Sequence, residues 1–135
     1  MVIEIKDSHE MEGETHASEF LCDGTLTATT DGGWELDYIE NDGPDASRAA
    51  LRVQNRMVSL TRRGAYPMEL TLEQGVRHSC YYNTPAGLMH LGIYARSVES
   101  DISPAGGNIK LAYTLDFCAD LMSSNQMEIK VQARG

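Results

Sequence analysis

Apolar side chains recur at every second position along most of the chain. Trp34, Leu36 and Tyr38 alternate with Glu35, Asp37 and Ile39. The same period runs through Tyr66, Met68, Leu70 and Leu72, through Val76, His78, Cys80 and Tyr82, and through Ile109, Leu111, Tyr113, Leu115 and Phe117. In an extended strand successive side chains point to opposite faces, so period two predicts strands with one buried and one wet face. Further strand segments are predicted over 2–11, 18–30, 47–54, 56–62, 88–99 and 126–133, giving about ten in all. Leu51/Val53, Val58/Leu60 and Met127/Ile129/Val131 are their apolar rows. Windows with helical spacing are scarce.

Turn residues separate these segments at 31–33, 41–45, 63–65, 73–75, 83–87, 103–108 and 123–125. Glycine and asparagine there supply positive φ, and proline presets φ. Short sequential links favour an up-and-down meander, and one this long must close or leave two exposed edges. The expected fold is therefore all-β with little helix, an antiparallel up-and-down β-barrel of about 8–10 strands, with a two-sheet sandwich as the alternative. Segment 88–99 carries Met89, Leu91 and Ile93 on one face and Leu88, Tyr94 and Val98 on the other. It calls for a second cover: a short helix, a folded-over terminus or a subunit partner.

Length and charge narrow the functional classes. The 135 residues make one domain, 1–135, with no linker or repeat. Twenty acidic against eleven basic residues leave a net charge of −9, and the densest basic run is Arg62-Arg63. Such a molecule repels phosphate, which argues against nucleic acid and anionic membranes as partners. No apolar run reaches the length of a membrane helix, and the start, Met-Val-Ile-Glu-Ile-Lys-Asp, lacks the pattern of a secretion signal, so a cytoplasmic location is expected. Cys22, Cys80 and Cys118 are odd in number and widely spaced, which points to core thiols rather than disulfides. The nucleophile-elbow, P-loop, dinucleotide, zincin and EF-hand motifs are all missing.

The second half runs Arg63-Gly64, then Tyr82-x-Thr84-Pro85-x-Gly87, a long apolar strand, Gly106-Gly107-x-Ile109-x-Leu111-x-Tyr113, and Asn125-x-x-x-Ile129-x-Val131. With Tyr38-x-Glu40 in the first half, this order resembles the bacterial YwiB-like family, small proteins grouped as a domain of unknown function. The chain departs from the pattern at Ala95-Arg96-Ser97, where a threonine is expected. The resemblance implies a calycin-like barrel, similar in shape to lipocalins, and carries over no activity.

Glu40, Arg63, Tyr82 and Tyr113 are the polar residues that match the family pattern. Glu40 continues the row of Trp34, Leu36 and Tyr38, so it is expected to project inward at a barrel end. A buried carboxylate needs a partner, and an arginine offers two hydrogen bonds at once. Two arrangements fit: an ion pair at the rim closed by tyrosine hydroxyls, or the polar end of a ligand pocket. His78 shares a face with Cys80 and, with Cys118 or His90, reads either as a soft-metal or thiol site or as a core histidine among Val76 and Tyr82. Thr84–Gly87 reads as a hairpin turn rather than an anion nest. Arg52 and Arg96 read as anion-binding groups inside the barrel or as solvent-facing side chains, and the methionines as core filler.

The leading expectation is a non-enzymatic barrel that binds a small, partly apolar ligand through Glu40, Arg63, His78, Tyr82 and Tyr113. No catalytic residue, metal or cofactor is assigned. The alternatives are an interaction scaffold, for a protein partner or a homodimer through segment 88–99, and a hydrolase-type enzyme using Glu40, His78 or Cys80.

Overall fold

In a computed structural model the chain is described over residues 1–30, 32–40, 47–54, 56–63, 68–84, 87–117 and 120–133; the side chains of Glu40, Ser47, Met68, Tyr82–Thr84, Leu88 and Asp120–Met122 are outside that description. The predicted turn residues at 31, 41–45, 64–65 and 85–86, together with Tyr66 and Cys118, also lie outside the described residues.

Ten strands follow one another: β1 (Val2–Met11), β2 (Glu14–Ala28), β3 (Trp34–Glu40), β4 (Ser47–Gln54), β5 (Met57–Arg63), β6 (Met68–Glu73), β7 (Arg77–Thr84), β8 (Gly87–Ser103), β9 (Gly106–Phe117) and β10 (Asp120–Gln132). Each pairs antiparallel with its sequence neighbour, and β1 pairs with β10 to close the barrel. Among the described residues there is no helix. The up-and-down barrel is the expected one, and the sandwich alternative falls.

The alternation fixes the register. Opposed residues share a face, so Leu36, Leu51, Leu60 and Leu70 form one inward row across β3 to β6. Ile5, Ile129 and Ile109 form another across β1, β10 and β9. Ile3, Leu36, Leu51, Val58, Ile93, Ile109, Ile129 and Val131 are the largest fully buried side chains. They fill the lower part of the barrel, toward the β2–β3, β4–β5 and β8–β9 connections.

Gly24 marks where β2 changes partner. Up to Asp23 it pairs with β1, and from Gly24 onward with β3. A Cβ at Gly24 would strike Ile3 Cδ1 and lie 2.5 Å from the Asp37 carbonyl oxygen, so only glycine lets the three backbones approach.

The two-faced pattern of segment 88–99 has a local cause at Val98. A β-bulge between Ala95 and Ser97 inserts Arg96 as an extra residue. The insertion shifts the inward row from odd to even positions, so Ile93, Ala95 and then Val98 all face the core. Tyr94 points outward and is exposed. The bulge also bends β8 toward the β6–β7 turn. There the Gly75 N–H donates to the Ala95 carbonyl at 2.9 Å, and the Val98 N–H to Gln74 Oε1 at 3.2 Å.

Two further differences concern strand ends. Glu14–Glu19, polar on both faces, already belongs to β2, joined to β1 by the two-residue turn Glu12-Gly13 with φ of 53° and 80°. Positive φ at both positions is what a tight hairpin requires. Ser123-Ser124-Asn125, expected as a turn, lies within β10 after a bulge between Leu121 and Ser123. Ser123 and Asn125 are buried, and Asn125 Nδ2 donates to Ser123 Oγ at 3.0 Å, satisfying both inside the barrel.

Candidate functional site

The upper barrel is not filled. Beyond the apolar floor, residues of β1, β2, β3, β5 and β10 line a cavity of about 690 Å³ that opens to solvent along the upper part of β2. Ile5, Phe20, Cys22, Tyr38, Leu60 and Met127 form its apolar wall. Its polar groups are Asp7, Ser18, Asp23 and Arg62. The mouth carries exposed apolar side chains: Phe20 is 37%, Ile39 50% and Leu21 68% exposed. The cavity volume is in the range of small-molecule pockets, and the cavity surface is shared about equally between apolar and polar groups.

Asp7 and Arg62 enter by continuing apolar rows. Asp7 follows Ile3 and Ile5 on β1, and Arg62 follows Val58 and Leu60 on β5. Burial pushes the Asp7 carboxyl above its ordinary value, while the positive charges of His9 and Arg62 pull it back. Among the described residues the Asp7 carboxylate accepts no hydrogen bond; Arg62 is engaged by protein groups, while its Nε is buried without a hydrogen-bond partner. The rule that selected Glu40, a charge extending an inward apolar row, also fits these two. They were missed because Arg63, not Arg62, matched the family pattern.

The five expected ligand residues do not gather at one place. Tyr113 lies on the inner wall, 9% exposed, opposite Asn125 in the register. Arg63 sits on the outer face, in a shallow groove with Glu35, Asp37, Arg48 and Arg52. His78 stands near the β6–β7 turn, its Nε2 3.1 Å from Glu73 Oε1. Glu40 and Tyr82 belong to β3 and β7, where Glu40 pairs with Ser47 and Tyr82 with Met68; their side chains lie outside the described ones. Arg52 and Arg96, weighed as anion-binding groups within the barrel, are exposed.

Cys80 is buried on the face it shares with His78, and burial, aided by the charge of Asp116, pushes its thiol pKa up. A reactive thiol needs the opposite shift. Among the described residues no three histidine, cysteine, aspartate or glutamate side chains are grouped to hold a metal ion. No helix among them is long and apolar enough to cross a membrane.

A family model described as a domain of unknown function, DUF1934, matches residues 3–129. The chain belongs to this family. Among solved structures, this DUF1934 barrel is similar to the YwiB protein from Bacillus subtilis, with a TM-score of 0.88 and 21% identity over 99% of this chain and 91% of that one. At that identity the match speaks for a shared DUF1934 fold. The comparison with curated proteins found no match.

Proposed function

We propose that this DUF1934 barrel binds a small, partly apolar ligand in the cavity above its core, without catalysis. The supporting observation is the cavity of about 690 Å³, whose wall combines Ile5, Phe20, Leu60 and Met127 with the polar groups of Asp7 and Arg62. Apolar side chains of this wall that face solvent gain by burial, which a bound ligand would supply. A thermal-shift and native mass-spectrometry screen against metabolites, fatty acids and other amphiphiles tests this. One-to-one complexes are expected, lost in Ser18→Trp, where an indole blocks the mouth. Binding that persists undiminished in Ser18→Trp would place the ligand elsewhere.

The scaffold reading moves from segment 88–99 to β2. Among the described residues, Glu14–Cys22 pairs with β1 on one side and with no strand on the other, and Leu21 is exposed beside that edge. An open edge with an apolar side chain can accept another strand. Sedimentation at micromolar concentration distinguishes a dimer formed this way from a monomer.

A further inference from the structure

We infer that the cavity mouth is a strand slot: the border of β2 over residues 15–21 takes up an extended peptide of a partner protein, with apolar side chains entering the cavity and a basic one opposite Glu19. The inference rests on the reading of the β2 border as strand-accepting and names the partner.

The β1–β2 ladder decides which backbone groups are on offer. Met1 and Gly24 exchange both hydrogen bonds: the Gly24 N–H donates to the Met1 carbonyl at 3.0 Å, and the Met1 amino group to the Gly24 carbonyl at 3.1 Å. In an antiparallel ladder such pairs alternate with pairs that exchange none. With Val2 next opposite Asp23, the even residues of β2 bond to β1. Thr15, Ala17, Glu19 and Leu21 therefore turn their N–H and C=O groups the other way. From Gly24 onward that side pairs with β3; over 15–21 no strand lies there among the described residues. Such a row of donors and acceptors is what an added strand completes.

The same border runs along the cavity. Phe20 and Cys22 stand opposite the buried Ile5 and Ile3, so even residues of β2 face inward and odd ones outward. Phe20 and Leu21 both line the cavity, which therefore reaches the border itself. Across the gap stands Ile39, the residue of β3 that follows its last pair with β2, Tyr38 with Gly24. A strand laid along β2 alternates its own side chains. Those opposite Ser18 and Phe20 enter the cavity beside Leu60 and Met127 and cover apolar surface that now faces solvent.

Charge separates a partner protein from a second copy. A second copy on this border brings Glu14 and Glu19 near the same residues, with −9 on each chain. Like charges opposed across strands destabilise, and opposite ones stabilise. Glu19 is exposed on the outer face, and a lysine opposite it pairs with the carboxylate while its stem covers the neighbouring Leu21.

The test uses the full chain and the fluorescein-labelled peptide Thr-Val-Leu-Lys-Leu-Thr, followed by fluorescence polarisation. Antiparallel to β2 with its lysine opposite Glu19, this peptide sends both leucines into the cavity. Saturable binding is expected. N-methylation of the valine and lysine amides, which face β2, should abolish it. N-methylation of the two leucine amides, which face away, should leave it within about threefold. Ala17→Pro removes an N–H that faces the border and none that bonds β1, so it should abolish binding while the strand circular dichroism is kept. Glutamate in place of the peptide's lysine should bind about tenfold more weakly, and Glu19→Lys should erase most of that difference. Absence of binding to the unaltered protein overturns the inference. If that protein then sediments as a dimer that Ala17→Pro dissociates, the border still accepts a strand and its partner is a second copy; a monomer removes the strand-accepting reading as well. Binding that ignores which amides are methylated puts the peptide elsewhere and overturns the inference. A lysine preference that survives Glu19→Lys intact overturns the basic residue assigned opposite Glu19.

Discussion

The barrel's least regular seam lies between β6 and β7, and Gln74 should be what holds it. Among the described residues these strands share the register pair Met68 and Tyr82, and a bridge between Glu73 and Val76 at the turn. The turn instead docks on β8. The Gln74 N–H donates to the Arg56 carbonyl at 3.0 Å, and the Gln74 side chain accepts from Val98 N–H at 3.2 Å, next to the bulge. Val98 is 6% exposed, so its N–H has little access to water once that oxygen is gone. A buried donor left without an acceptor costs about 1–3 kcal/mol, and the exposed position of Gln74 puts this case near about 1 kcal/mol. A chain of this length has an unfolding entropy of about 0.28 kcal/mol/K, so Gln74→Ala should lower Tm by about 4 °C. Gln74→Glu keeps the acceptor oxygen and should melt close to the unaltered protein. Amide hydrogen exchange gives the local readout: Val98 should lose protection in Gln74→Ala and keep it in Gln74→Glu. Unchanged Val98 protection in Gln74→Ala would refute the assignment, whatever the melting temperature does.

Other perturbations probe the floor, the outer face and the mouth. Ile129→Ala removes a fully buried side chain between Ile5 and Ile109 and should cost about 3 kcal/mol, measured by urea unfolding with an unchanged m-value. Gly92→Val should lower Tm, because a Cβ there meets the Arg77 guanidinium and lies 2.6 Å from Asp116 Oδ1, while Arg77 reaches across β8 to bond both Asp116 oxygens. Adding Arg77→Ala should recover part of that loss by freeing space. Asp7→Asn should raise stability near about pH 7 and change it little near about pH 3. A carboxyl raised above its unfolded value of 3.8 contributes stability that is present below that value and lost as pH rises through the folded one. Equal stability of Asp7→Asn and the unaltered protein in urea titrations at both pH values would contradict the burial of Asp7.

Strand existence and order were legible because alternation is a local property of the sequence. β3 shows this: Leu36 and Tyr38 face inward as their spacing requires. What failed to show was where the alternation skips. Val98 stands five positions from Ile93, which in an uninterrupted strand puts them on opposite faces, and only the pairing of Ala95 with Tyr113 and of Ser97 with Ala112 exposes Arg96 as the extra residue. Serine and asparagine at 123–125 are turn formers by composition, yet the β9 partner extends past them and draws them into the ladder. Glu14–Glu19 shows no alternation, so its strand is dictated by the Glu12-Gly13 turn and the β1 register. Tertiary pairing decided each of these cases.

The site was half legible for a related reason. Parity alone would have chosen Arg62 over Arg63, since Val58, Leu60 and Arg62 form one row. The family pattern pointed to the neighbour, and a one-residue difference along a strand reverses the face. Which inward charges meet is a matter of how the barrel rolls: Asp7 and Arg62 lie on β1 and β5, joined by no ladder, yet line one cavity.

Departures from ordinary patterning also concentrate at that end of the molecule. Phe20 and Leu21 are exposed and Asp7 is half-buried where the inward rows reach the mouth, whereas the opposite end closes on Ile3, Ile109 and Val131. A barrel selected only for stability would carry an aliphatic residue in place of Asp7 and polar ones in place of Phe20 and Leu21. Local rules broken together, in one place, on groups that line one cavity, support the proposed ligand site. The same reasoning sets its own check. If Asp7→Ile, Phe20→Ser and Leu21→Ser each stabilise the fold and together abolish retention of the neutral fluorescent probe N-phenyl-1-naphthylamine, the mouth is built for a ligand; stabilisation with retention intact would leave these residues unconnected to binding.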